Sequence, residues 1–414
     1  MLKQLRSLRI LSLGCLFVMV WLLATCAVGQ APAFDPLKLQ GGLPNSGTET
    51  VIRALNAQNA ALRDEINRMR DPTTAWRNLT PRQTTARLQA LLDSGACELP
   101  DGLFVIDATL REPNKKSPVR TIGTGAGQYD PSTPTGSVLS TKRGTYLRWA
   151  GPDGGTMYEV TTPRSHLADI TLDGAGKAAV GIQWTWPGKG TSAPSGTTLE
   201  RVYVQNCTEV AFRVGHKASD PLGDTIDFEN CTVRNCPIGL LVKNTQAMDH
   251  TFRGHTCMEY VPRCFVYEAG GGLHLEGYLF AMGRPGGGTS PRETTVLTLL
   301  APDLARKPGR YNGDFRIGYC KSDAQNYGGF RLLDMQPGVA WNGVRVIAIG
   351  GRIAGETKTI QFANVGKGAE LSLSGWTNVR RDQIDVAEGG RLHAERVYGS
   401  HYSDVWSEDW SKAE

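Results

Sequence analysis

The sequence predicts an all-β solenoid, a parallel β-helix with a short N-terminal helical neck and a helical cap. Three observations predict it. Apolar and polar residues alternate in short runs, which gives strands with one buried face. The runs recur at spacings of 24, 26 and 21 residues, measured from Cys207 to Cys231 to Cys257 to Tyr278. There are 49 glycines in 414 residues, well above the roughly 7% of an average protein, with no three-residue period, as a fold with many tight corners requires. A composition that is 40% hydrophobic, 21% charged and 8% aromatic can fill a large core and excludes global disorder.

The first element is a leader. Lys3, Arg6 and Arg9 precede an uncharged run from Ile10 to Gly29, with Ala27 and Gly29 placed for cleavage before Gln30. Residues 1–29 therefore read as a signal peptide, and the body as secreted, periplasmic or held at the cell surface. The run is also long enough to span a bilayer, so a membrane enters the account only if 10–29 stays uncleaved. The three basic residues supply most of the formal charge of +5 and leave +2 on the body, which gives no argument for nucleic acid.

Residues 30–47 are rich in Pro and Gly without periodicity and read as a tether. In 48–71 the pattern changes. Ile52, Leu55, Asn59, Leu62, Ile66 and Met69 alternate between spacings of three and four, filling a and d positions. Ser46 and Glu49 supply a capping box, and Pro72 stops the helix. Two readings stay open: an amphipathic helix lying on the body, or a coiled-coil neck making a homo-oligomer through 52–69, with Asn59 fixing register. A second helix, over 80–95, is signalled by Thr80, Pro81 and Gln83, a capping box with Pro at the first helical position. It covers the open end of the solenoid core.

The solenoid is expected over 96–403 and a tail over 404–414. ITLDGA (170–175), VYVQNC (202–207), IDFENC (226–231), FRGHTC (252–257), LHLEGY (273–278), FRIGYC (315–320), LSLSGW (371–376) and LHAERV (392–397) align, with apolar residues at the first and third places. Second strands follow at VAFRVG (210–215), IGLLVKN (238–244) and CFVYEAG (264–270), so one coil holds three short strands. A sandwich would need return strands of unlike pattern. The alignment stacks Cys207, Cys231, Cys257 and Cys320 in one column of small buried side chains, with Asn206 and Asn230 as a polar ladder beside them. Seven cysteines lie beyond the leader, none in a C-x-x-C pair, which argues against structural zinc and leaves disulfide connectivity open. Trp406 and Trp410 are placed to seal the final coil.

LQALLDSGACELPDGLFVI (88–106), RTIGTGAG (120–127) and LADITLDGAGKAAVGI (167–182) together resemble the first coils of the pectate lyase superfamily of right-handed parallel β-helices. The resemblance extends over roughly 85–400 and implies the right-handed coil. It implies no single chemistry, because that superfamily includes lyases, hydrolases, epimerases and phage tailspikes. Its polygalacturonase signatures are absent: GHT at 254–256 lacks the second glycine, and Arg352-Ile353-Ala354 lacks the lysine. Met248-Asp249-His250 preserves only the last two residues of the lyase W-x-D-H motif. No catalytic residue carries over.

The aligned strands nevertheless define an outward face. The second column runs Tyr203, Asp227, Arg253, His274 and Arg316, and the fourth runs Asp173, Gln205, Glu229, His255 and Glu276, with coils about 4.8 Å apart. Asp227, Glu229, Arg253, His255, His274 and Glu276 are the candidate catalytic residues, and Asp173, Tyr203 and Arg316 the candidate substrate contacts. Asp227 and Glu229 would lie about 7 Å apart on one strand, inside the inverting-glycosidase window of about 6.5–9.5 Å. A uronate lyase needs a cation on the substrate carboxylate and a base for the α-proton, which Arg253 or Arg316 with His255, His274 or Tyr203 could supply. Neighbouring carboxylates could hold Ca²⁺, though no set of metal ligands stands out. Trp184 and Trp186 alternate on one strand and could stack on sugar rings, or pack in the core. The expected ligand is polysaccharide, bound and cleaved by a lyase or glycoside hydrolase, or bound without cleavage by a surface protein of tailspike type.

Overall fold

The computed structural model describes residues 76, 78–115, 117–126, 144–188, 191–216, 225–283, 293–300, 313–322, 329–353, 361–399 and 405–408. The leader, the tether, the neck and Trp410 lie outside the described residues. The cap is the helix Pro81–Ser94, here α1. Gln83 N–H donates to Thr80 Oγ1 at 3.3 Å and Thr80 N–H donates to Gln83 Oε1 at 2.9 Å, the reciprocal box read from sequence. Gly95 ends the helix in the left-handed region at φ 96°, where a side chain would be strained. Leu88 and Leu92 point into the core, so α1 closes the end of the coil stack.

Each coil before His250 contributes three strands, and from His250–Glu259 onward the first two run on as one strand through the corner. In one coil the three are Thr197–Glu200, Tyr203–Gln205 and Val210–Val214, and in the next Ile226–Glu229, Thr232–Arg234 and Ile238–Val242. The first two lie on either side of a corner in a 17-stranded sheet, and the third belongs to a 10-stranded sheet that closes the coil. Pairing between coils is parallel throughout the described residues, except that Val405–Glu408 returns antiparallel along Arg391–Tyr398. This is a parallel β-helix. Trp406 Nε1 donates to Val379 O at 2.9 Å in the last coil, as sealing requires.

The core is a set of stacked columns. Leu199, Phe228, Phe252, Leu275, Ile317, Ala348, Leu373 and Ala394 follow one another in register, all buried. Phe228 and Phe252 lie with ring centroids 4.1 Å apart and 1° between planes. The burial of each such ring is worth about 1.5–3 kcal/mol.

Two kinds of corner set the phase of every coil. Between the first and second strands, Asp169, Arg201, Asn230 and Gly254 adopt φ of 57°, 50°, 52° and 69°; between the second and third, Asn206, Asn235 and Tyr260 adopt 56°, 53° and 57°. Gly277 has no alternative at its corner, because an added Cβ would lie 2.3 Å from Gly254 O.

These corners correct the sequence alignment by one strand of the coil. VYVQNC and IDFENC both end in Asn-Cys, but one precedes the second corner and the other the first. Tyr203 therefore faces Thr232, and Asp227 faces Thr198. The single cysteine column divides: Cys207 stacks towards Cys236, while Cys231 belongs with Thr256, Leu279 and Cys320. Cys257 faces Thr232 and Phe280 instead. The expected burial holds for all seven thiols, none of them disulfide-bonded. The asparagine ladder changes partners too. Asn235 Nδ2 donates to Asn206 Oδ1 at 2.7 Å, and Asn230 Oδ1 accepts from His255 N–H at 2.9 Å at the other corner.

Candidate functional site

The first strands of successive coils turn two polar columns outward. One runs His166, Thr198, Asp227, Thr251, His274 and Arg316, and the other Glu200, Glu229, Arg253 and Glu276. Six of the residues expected on this face therefore share it: Asp227, Glu229, Arg253, His274, Glu276 and Arg316. Arg253 is the hub. Its Nη1 donates to Asp227 Oδ1 at 2.8 Å and its Nε to Glu276 Oε2 at 3.1 Å, across three coils, with half of the side chain exposed. These two carboxylates, Glu276 first, raise the Arg253 pKa further and keep it charged. His274 Nε2 lies 3.9 Å from Asp249 Oδ1, and Glu229 stands exposed beside the cluster.

The alignment missed His166 and Glu200, which pair at 3.4 Å on the same face. TTLE at 197–200 carries the signal, a strand of its own directly before VYVQNC.

His255 sits elsewhere. It is the extra residue at a first corner, between Gly254 and Thr256, and its ring lies on Tyr278 with centroids 5.0 Å apart and 13° between planes. Tyr278 stacks in turn on Tyr319 at 5.5 Å and 20°. The file of rings runs along the edge of the charged face, one ring per coil. It stops at Tyr319, which is 44% exposed and faces Gly350 in the following coil. A Cβ added at Gly350 would lie 3.3 Å from Tyr319 Cδ2, and one at Gly375 would meet only the backbone of Gly350. No further ring stacks on Tyr319 among the described residues, and Ile349 beside it is 62% exposed. Sequence reasoning missed Tyr278 and Tyr319, although both follow the corner glycine in LHLEGY and FRIGYC.

Four expected contacts belong to other surroundings. Asp173 is 1% exposed rather than outward in solvent, because its Oδ1 accepts from Ala175 N–H at 3.0 Å and Asn206 Nδ2 at 2.8 Å in a corner. Tyr203 lies on the second-strand face, where burial and the nearby Glu259 push its phenol well above the ordinary range, away from use as a base. Trp184 is fully buried. It occupies an inward place on Val180–Trp184, donates from Nε1 to Thr197 Oγ1 at 3.2 Å and meets Phe228 edge-on, so it is a core residue and not a platform. Trp186, just past that strand, is half-buried and packs on the same core. No group of three His, Cys, Asp or Glu is arranged to hold a metal ion among the described residues.

Fold and face together define a parallel β-helix with an ion-paired outer surface edged by stacked rings. No family model matches the sequence. No curated protein matches it either. Among solved structures, the chain is similar to the Agl-KA catalytic domain, at 12% identity and a TM-score of 0.32, covering 75% of this chain and 64% of that one. It is also similar to the A-module of the mannuronan C-5 epimerase AlgE6 of Azotobacter vinelandii, at 14% identity and a TM-score of 0.29, covering 76% of this chain and 90% of that one. Likeness at this level carries no argument about chemistry, and the coil registers themselves define the fold.

Proposed function

We propose that the chain is an exported protein that binds polysaccharide along the first-strand face of its central coils. The observation that carries this reading is the file His255, Tyr278 and Tyr319, exposed at its end and running parallel to the Arg253 cluster. A sugar ring presents an apolar C–H face and a rim of hydroxyls. The open face of Tyr319 over Gly350 suits the first, and ion-paired carboxylates and guanidinium suit the second, since each keeps spare acceptors or donors. The repeat of one coil every 4.8 Å or so lets several sugar units be met in line.

Cleavage is a second reading, favoured by Asp227 and Glu229 standing two residues apart on one outward strand. Against a role as general acid, Asp227 and Glu276 are already taken up by ion pairs with Arg253. Glu229 is the carboxylate left for that task. The test is a panel of acidic and neutral glycans, followed for binding and for product. The proposal expects at least one glycan to be retained; retention of none overturns it. If product forms, Glu229→Gln should abolish it, and product at the wild-type rate removes Glu229 as an essential acid.

A further inference from the structure

The cysteines outside the leader are seven, so one chain cannot pair them all. Register separates them. Val204 pairs with Val233 and Gln205 with Arg234, which makes Cys207 and Cys236 successive members of one column, one coil apart. Cys207 N–H donates to Cys236 Sγ at 3.4 Å, so the Cys236 sulfur lies against Cys207. The other thiols face different residues: Cys97 faces Thr121, Cys257 faces Phe280, and Cys320 faces Leu279 and Gly351. Facing residues of adjacent strands have Cα atoms about 4.8 Å apart, inside the span of about 4.4–6.8 Å that a disulfide bridges.

We infer that Cys207 and Cys236 form a disulfide clasping two successive coils when the chain folds in an oxidising compartment. This rests on the export read from residues 1–29, and is independent of what the outer face binds. The oxidant is the disulfide of a protein thiol oxidase. The Cys207 thiolate attacks one sulfur of that disulfide, giving a mixed disulfide and releasing the oxidant's other sulfur as a thiolate. The Cys236 thiolate then displaces the oxidant from Cys207. The S–S bond forms within the chain, the oxidant leaves as a dithiol carrying the two electrons, and the two cysteine protons pass through solvent to its sulfurs. In the closed coil the neighbouring Cys236 sulfur, together with burial, holds the Cys207 thiol protonated. The exchange therefore belongs to folding, before the coil closes.

The test maps thiols in the exported full chain, denatured without reductant and alkylated. Trypsin releases Cys207 in 202–213, Cys236 in 235–243 and Cys231 in 218–234. The expected result is five alkylated body cysteines of seven, with 202–213 joined to 235–243. Reductant should separate the two peptides and lower the urea midpoint of the intact protein. Seven alkylated cysteines, or a join between 202–213 and 218–234, would overturn the inference.

Discussion

Phe228 and Phe252 stack 4.1 Å apart inside the solenoid, while the residues beside them, Asp227 and Arg253, pair at 2.8 Å on its outside. Both contacts bridge the same two coils through the same two strands. The inner one removes apolar surface from water and excludes every other partner. The outer one trades hydration for an ion pair that solvent screens, so it holds little of the fold and stays available to a ligand. The difference teaches that in this molecule adhesion between coils and recognition can sit on alternate residues.

The largest effect should come from breaking the inner contact. Phe228→Ala leaves a cavity against Phe212, Phe252 and Trp184 and should cost about 3–5 kcal/mol, read as a lower urea midpoint, with glycan affinity per folded molecule unchanged.

Next in size is an inward carboxylate. Glu112 is buried, with Oε2 accepting from Ser165 Oγ at 2.6 Å and Thr162 N–H at 3.3 Å, and Oε1 from Tyr158 at 3.1 Å. Burial outweighs those donors and lifts its pKa from 4.5 to about 7. The folded state therefore holds this proton more tightly than the unfolded chain does. The stabilisation is full below pH 4.5 and is lost as pH rises through about 7. The loss amounts to about 3 kcal/mol. Urea titrations at both ends of that window should show this loss in the wild type relative to Glu112→Gln, which cannot titrate; equal pH dependence in the two proteins would refute it.

The smallest effect on stability belongs outside. Arg253→Ala breaks two exposed ion pairs and should shift stability by no more than about 1 kcal/mol, while lowering glycan affinity. A larger loss of stability would mean that the outer column also holds the coils together.

Much of the fold was legible because period-two alternation and corner residues repeat with each coil, and α1 carries its own start and stop signals in Thr80, Gln83 and Gly95. The phase of the columns was not. Asn206 and Asn230 are both left-handed corner residues followed by Cys, and only pairing between coils distinguishes the two corners. That slip of one strand left Asp227, Glu229, Arg253, His274, Glu276 and Arg316 on their common face, moved Tyr203 to another, and hid His166 and Glu200. Trp184 was left open between core and platform for a different reason. All five residues of its strand are buried, so alternation gave no signal of which face met solvent. The file of His255, Tyr278 and Tyr319 depends on ring planes that no spacing encodes.

The central claim, that recognition lies on the outer edge and not in the stack of coils, is tested most directly at Tyr319. Calorimetric titration with the glycan retained best from the panel should be run on wild type and Tyr319→Ala, alongside their urea midpoints. Loss of one stacking face predicts affinity lowered about 2- to 10-fold at an unchanged midpoint. Unchanged affinity, or affinity and midpoint falling together, would contradict the account.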